Sequence, residues 1–346
     1  MHVMLSRVEA IGDVTLTLAA VGWLKRCLPD CKVSMLVSYY SAPVANVSKY
    51  IDEVVLLPPK MEVHELSSFF KSLVITHFVH ITANKLISKA AKSAGIPHRH
   101  GIIGRFYHWF TCTKLHLMRR GHSGFHESYF NLLLVARSMG IAEPTFEYLN
   151  AHYHDLVGFT VSPENSQSKT STKKVLLHPF SRGNGREWPL SHYAELAHLL
   201  IQNGISPVIG GTLADSSEFE KSKHLFPDSC EFIFGRDVLE NYIERIAQVD
   251  CFISSSTGPL HIASAIGQKC IGIFPPKKAL DIARWGAMGG SSRNMVCNAR
   301  TDSCKSNCSN QHCDCIHLVS ASLVFDEVLR LILPNKKINS SLRLAL

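Results

Sequence analysis

Residues 251–274 read CFISSSTGPLHIASAIGQKCIGIF, and the reading of this stretch decides how the rest of the chain is understood. It opens as a short β-branched strand and closes as a second apolar strand. Between them Ser254, Ser255, Ser256 and Thr257-Gly258-Pro259 supply hydroxyls and tight-turn residues where a helix would begin. Pro259 suits the first helical position, because its missing N–H would be unpaired there in any case. The free N–H groups of that turn, the Thr257 hydroxyl and the helix dipole would converge on one place, which His261 also faces; a helix start of this kind receives phosphate. The plainer reading is a capped helix such as any α/β protein contains.

Working outward, residues 3–8, 32–37, 53–57 and 73–81 read as strands, and residues 13–27, 41–47 and 84–94 as helices, the last stopped at Gly95-Ile96-Pro97. A second series follows the polar text of residues 152–174, which reads as a linker. It runs from a strand at 175–178 through a helix at 190–202, a strand at 207–209, a helix near 216–224, a strand at 231–234 and a helix at 238–248 to the opening stretch. A helix at 320–333 closes the series, and residues 335–346 read as a tail. Strands alternating with helices point to doubly wound parallel sheets. The expected division is a first domain at 1–160, a linker at 161–174, a second domain at 175–319, and a closing helix and tail at 320–346.

Composition sets the bounds. A chain of 346 residues, 46% hydrophobic and 18% charged, suits two folded domains of about 150 residues each. Lys+Arg 36 against Asp+Glu 28 gives a net +8, which favours an anionic partner without choosing among nucleotide, phosphorylated glycolipid, membrane surface and nucleic acid. No apolar run is long enough to span a membrane. Residues 1–5 are too brief an apolar run before Arg7 and Glu9 to read as a signal peptide, so the expected location is cytoplasmic, with the cysteines mostly reduced. No G-x-G-x-x-G follows a strand and no Walker A string occurs, which disfavours a dehydrogenase and a P-loop enzyme.

The string from Ser256 to Gly267, set between two strands, resembles the nucleotide-sugar signature of the heptosyltransferase-like glycosyltransferases of family 9, which build lipopolysaccharide core. That resemblance implies a GT-B type α/β fold of two Rossmann-like domains facing a central cleft. It also implies inverting, metal-independent transfer of a sugar, a heptose from ADP-heptose in the first instance, to an anionic glycolipid such as lipopolysaccharide core. No cofactor and no nucleic acid are implied; peripheral contact with the cytoplasmic face of the inner membrane is. The family usually has an acidic residue directly before the Thr/Ser-Gly pair, where this chain has Ser256, which leaves the donor sugar open.

Further matches carry residue roles. Arg7 through Gly12-Asp13-Val14 resembles the opening R-x-x-x-x-G-D-V, whose Asp is the catalytic base, so Asp13 is the expected base with Gly12 beside it at the acceptor. From the residues alone, a helix cap is the favoured reading of Asp13. His178-Pro179-Phe180-Ser181-Arg182 and Arg186-Glu187-Trp188-Pro189 resemble H-x-x-x-R…K-x-W-P. Ser181 and Arg186 would then touch phosphate with Ser256, Thr257, Gly258, Pro259 and His261, Arg186 standing where the family commonly has Lys. Gly210-Gly211-Thr212 through Asp215 resembles a loop with an acidic ribose contact, Asp215, near which Glu218 competes; a plain turn is the alternative.

Two clusters remain. Cys297, Cys304, Cys308, Cys313 and Cys315 include a C-x3-C-x4-C-x-C run in which Cys304, Cys308, Cys313 and Cys315 can surround a structural zinc, without the usual C-x2-C knuckle; reduced thiols or a redox-sensitive pair are the alternatives. His98-Arg99-His100 with Arg105, and Lys114 through Arg119-Arg120, form basic loops. Arg99 and Arg105 are candidates for an acidic acceptor, with Phe106, Tyr107, Trp109 and Phe110 beside them at a membrane interface, or else simply a basic surface over part of a core helix. Two rival functions use the same text: a nucleotide-sugar epimerase, and a non-catalytic basic scaffold organised by a zinc module.

Overall fold

The computed structural model describes residues 1–120, 124–161, 172–181, 183, 185–235, 238–277, 280–297 and 315–333. They fall into two units, Met1–Thr160 and Val161–Leu346. Strands buried on both faces need helices on both, and each unit meets that need with one six-stranded, wholly parallel sheet. In the first, β1 (His2–Ser6), β2 (Lys32–Val37), β3 (Glu53–Leu56), β4 (His77–Val79), β5 (His98–Ile102) and β6 (Lys114–His116) lie in the order β3-β2-β1-β4-β5-β6. The second holds β7 (Lys174–His178), β8 (Ser206–Ile209), β9 (Glu231–Phe232), β10 (Cys251–Ser255), β11 (Cys270–Phe274) and β12 (Ser292–Val296), in the order β12-β11-β10-β7-β8-β9. Counted from its own first strand, each sheet has the order 3-2-1-4-5-6. Strand order therefore reverses between β1 and β4, and again between β7 and β10, the points where open α/β sheets place ligands beyond the strand C-termini.

Helix Ile11–Cys27 starts two residues before its expected start and is buried almost all round. Helix Glu127–Met139 covers it on one side, with the Asn131 amide donating to Leu16 O (3.3 Å) and Thr17 Oγ1 (3.1 Å). Helix Tyr153–Val157 crosses it on another at Gly22, where a Cβ would lie 1.9 Å from Leu156 O. That contact corrects the linker reading for residues 152–161: Tyr153, Leu156 and Val157 are buried, and Ser48 Oγ donates to Val157 O at 2.8 Å. Residues 162–171 of the expected linker lie outside the described residues, and Lys174 already belongs to β7.

The expected strand at 73–81 shrinks to β4 because its first residues end helix Val63–Ser72, which periodicity did not disclose. Glu62 and Glu65 form the capping box of that helix, and Val74 turns the chain at φ +51. In the second unit, helix Leu190–Gln202 has its expected bounds and packs against helix Ala321–Ile332, joining Trp188, Tyr193, Ile253, Val324 and Val328 in one core. Met4, Leu36, Leu66, Phe70, Phe78 and Ile87 form a core of the first unit. Among the described residues no helix is long and apolar enough to cross a membrane.

Histidines gather where β4, β5 and β6 meet. His77 stacks on His98 at 4.4 Å between ring centroids, His80 lies 5.4 Å from His108, and His100 Nδ1 is 3.3 Å from His116 Nε2. Burial first, then neighbouring cations and imidazoles, depress their proton affinity. His80 falls well below its ordinary value of 6.5, His108 is lowered, His100 drops to about 3 and His116 to about 4. Each ring binds more protons unfolded than folded below about pH 6.5, so stability rises with pH through this window. It is complete above that value and is lost as pH falls toward the folded-state values. The melting temperature should therefore drop between about pH 7 and about pH 5, before most carboxylates titrate. Replacing both His100 and His116 by Gln should flatten that slope, and a variant with the wild-type slope would show that these rings do not set it.

Candidate functional site

At the β10 end the chain leaves a fully buried strand through Ser256 and enters helix Gly258–Ile266, which Gly267 ends at φ +82. Thr257 is the N-cap: its hydroxyl accepts from the Leu260 N–H (3.4 Å) and lies 3.0 Å from Ser254 Oγ. Two expectations change. Pro259 occupies the second helical position rather than the first, and the Thr257 hydroxyl is engaged in capping. Pro259 has no N–H and that of Leu260 is taken, which leaves Gly258 as the main-chain donor of the first turn. His261, one residue further, is 5% exposed, with its ring 6.5 Å from that of Trp285.

The loop after β7 closes against this turn within the same unit. A Cβ on Gly185 would come within 2.7 Å of Ser256 O, so only glycine allows the approach. The Trp188 N–H donates to Ser255 Oγ at 2.9 Å and its indole N–H to Val319 O at 2.7 Å. Glu187 Oε1 accepts from both the N–H (2.6 Å) and the hydroxyl (2.9 Å) of Ser181. Ser181 is thus held by Glu187, while half-buried Arg186 lies in the segment joining Gly185 to that carboxylate. Asp215 closes a capping box: its Oδ2 accepts from the Thr212 N–H (2.8 Å) and hydroxyl (2.6 Å). A carboxylate has lone pairs to spare, but Asp215 already has a structural task at the start of helix Leu213–Glu220.

In the first unit Gly12 is buried and Asp13 is the third residue of its helix, at the β1 end of the β1/β4 reversal. Ala10 at the N-cap offers no side-chain cap. Asp13 is partly open, and Arg7 takes one of its oxygens, Nη2 to Oδ1 at 2.5 Å. The same Nη2 lies 3.1 Å from Glu127 Oε1, and Glu127 in turn pairs with Arg120. Arg120 also donates to Asn131 Oδ1 (2.8 Å) and Ile81 O (3.0 Å), and lies over the Phe130 ring at 4.5 Å. The β1 and β4 loops are tied together by Thr82, whose hydroxyl donates to Glu9 and accepts from the Val8 N–H. Arg7 and Glu127 are almost wholly buried, so the chain that fixes Asp13 is an ionic one inside the protein.

These partners were not visible in the sequence. Glu127 is 120 residues from Arg7, and only the fold brings them together. Arg120, read as part of a basic acceptor loop, is corrected to this internal role. The half-buried Arg99 guanidinium also has internal partners: it donates to the Thr111 (2.7 Å) and Ile96 carbonyls, and burial lowers its proton affinity. Arg105 is exposed. Cys304, Cys308 and Cys313 lie outside the described residues; Cys315 is buried beside the core residues Ile316 and Val319. Among the described residues no group of three His, Cys, Asp or Glu side chains is placed to hold a metal.

Two parallel sheets of the same strand order, one reversal carrying a held carboxylate and the other a capped helix start, define a two-unit, doubly wound α/β chain. The model of glycosyltransferase family 9 (heptosyltransferase) matches residues 86–314, and the chain belongs to that family. It is a glycosyltransferase. Lipopolysaccharide heptosyltransferase 1 of Escherichia coli K12 is 23% identical over 325 residues, 86% of this chain and 94% of its own length. The fold is shared with E. coli ADP-heptose lipopolysaccharide heptosyltransferase II (TM-score 0.76, 15% identity, 96% of this chain and 99% of that one). It is shared as well with a family 9 glycosyltransferase of Veillonella parvula (TM-score 0.78, 15% identity, 96% and 97%). The GT-B type of α/β fold implied by the sequence is the fold of these structures.

Removing Glu127 tests the ionic chain. Glu127→Ala leaves two guanidinium groups without their shared carboxylate, and a broken buried pair costs about 3–5 kcal/mol. Urea denaturation should register a loss of that order, and one below about 1 kcal/mol would mean that the arginines find other partners.

Proposed function

We propose that the chain transfers a sugar, with inversion, from a nucleoside diphosphate sugar to a hydroxyl of an anionic glycolipid, with Asp13 as general base. The acceptor oxygen attacks the anomeric carbon, its proton passes to the Asp13 carboxylate, and the bond from that carbon to the diphosphate oxygen breaks with its electron pair leaving on the diphosphate. One carboxylate suffices, because the leaving group is already a stable anion. The observation that carries this reading is the Arg7 contact, which holds a partly exposed Asp13 by one oxygen at a strand-order reversal. ADP-heptose is the donor favoured, as the substrate named for the E. coli relative of the same fold, and lipopolysaccharide core the acceptor. In this reading Gly12 and exposed Arg105 lie on the acceptor path, and the enzyme works at the cytoplasmic face of the membrane that carries the acceptor.

The diphosphate would rest against the N-terminus of helix Gly258–Ile266, with the Gly258 N–H, Ser256, His261 and Arg186 as donors and Asp215 toward the ribose. No divalent ion is then required, in keeping with the lack of an Asp-x-Asp sequence in the first 312 residues. EDTA should leave transfer intact; loss restored by Mg²⁺ or Mn²⁺ would overturn metal independence.

Asp13→Asn keeps the shape of the side chain and removes the proton acceptor. Turnover should fall about 10²–10⁴-fold while donor affinity and folding persist. A variant retaining more than about a tenth of wild-type turnover is incompatible with Asp13 as the base. His261→Ala should weaken nucleoside diphosphate binding about 10- to 1000-fold, and leave the monophosphate nearly unchanged, since it lacks the second phosphate. Calorimetry with both ligands decides: equal losses would assign His261 to packing of the pocket.

A further inference from the structure

No acidic residue occurs between Glu65 and Glu127, an interval that carries nine lysines and arginines. Arg99 and Arg120 are spent on internal carbonyls and Glu127, whereas Lys85 and Lys89 stand exposed. Helix Lys85–Ser93 buries Ile87, Ala90 and Ala91 and leaves Lys85, Lys89 and Lys92 exposed. These stand at i, i+4 and i+7, one row along one face. The helix packs against the short helix His108–Thr111, and Lys92 Nζ donates to Phe110 O at 2.9 Å. Around that short helix Phe106 is 78%, Trp109 61% and Phe110 62% exposed.

These rings are held outward by structure. His108 and Thr111 of the same turn are buried, the Trp109 indole N–H donates to Ile103 O at 3.3 Å, and Arg99 binds the Thr111 carbonyl. Gly101 admits the turn, since a Cβ there would lie 2.6 Å from His108 Nδ1. Phe106 and Phe110 meet edge to face at 5.1 Å. Three bare aromatic rings beside a row of lysines, in a segment without a carboxylate, match the two layers of a lipid surface: apolar rings below the headgroups, ammonium groups among anionic phosphates.

We propose that this face of the first unit, Phe106, Trp109 and Phe110 with Lys85, Lys89 and Lys92, docks on an anionic phospholipid bilayer. The proposal rests on the reading of the acceptor as a membrane glycolipid, but its test uses neither donor nor acceptor. Failure of docking is therefore visible apart from failure of the transfer reading, which is followed with a deacylated, water-soluble acceptor.

The test is sedimentation of the full chain with phosphatidylcholine vesicles with and without phosphatidylglycerol. Binding should need the anionic lipid at about 0.1 M salt and fall steeply by about 0.5 M. Lys85→Glu/Lys89→Glu should weaken it at least about tenfold, each lysine at the surface being worth about fivefold. Phe106→Ser/Trp109→Ser/Phe110→Ser should abolish it with an unchanged melting temperature and unchanged transfer to the soluble acceptor. Absence of binding, equal binding to neutral vesicles, or wild-type binding by the triple serine variant would each overturn the proposal. So would a wild-type dimer that the serine variant converts to monomer without loss of vesicle binding, which would make the face a self-association surface.

Discussion

A parallel sheet that grows first to one side of its starting strand and then to the other must send two neighbouring chains off in opposite directions, and where they part, the ends of the strands are left uncovered. This chain meets that constraint twice, at β1/β4 and at β7/β10. The carboxylate read as the base follows β1, and the helix start read as the phosphate site follows β10. The segments tied to them follow β4 and β7: Thr82 bonds to Glu9 and Val8, and Gly185 and Trp188 close on Ser256 and Ser255. Both halves use the same solution with different side chains.

What distinguishes the two reversals is the kind of electrostatics each contains. In the first unit it is ionic and made of side chains: Asp13, Arg7, Glu127 and Arg120 alternate in sign, two of them almost wholly buried. Such a chain offers little net stability, because removing ions from water costs about what their pairing returns, but it leaves few orientations open to the exposed member. For a carboxylate proposed as a base, which would have to meet a proton in one direction, that restriction matters more than the energy.

In the second unit the electrostatics is that of the backbone. Thr257 caps the helix and Pro259 carries no N–H, so the positive end of the helix is presented through Gly258 and the dipole. Backbone donors cannot change rotamer, and the Glu187 contacts to Ser181 keep the neighbouring loop in place. In the proposed reaction this fixed arrangement would stand ready before any ligand arrives, the condition under which fixed donors stabilise developing charge.

The sequence by itself determined the local structure: alternation of strand and helix, the bounds of Leu190–Gln202, the strand-turn-helix of residues 251–274, and Asp13 at a strand-helix junction. Each of these depends on residues within one or two turns of one another. It did not disclose helix Val63–Ser72 or helix Tyr153–Val157, since the first starts on a Glu capping box and the second lies in polar text whose few apolar residues, Tyr153, Leu156 and Val157, gain meaning only against Gly22. Nor could it separate the arginines. Arg99, Arg105, Arg119 and Arg120 read alike as a basic run, yet Arg120 turns inward to Glu127 and Arg99 to carbonyls, while Arg105 and Arg119 stay at the surface. Whether a charged side chain serves a ligand or the fold depends on which distant group lies within about 3 Å of it, and that distance is a property of tertiary structure alone.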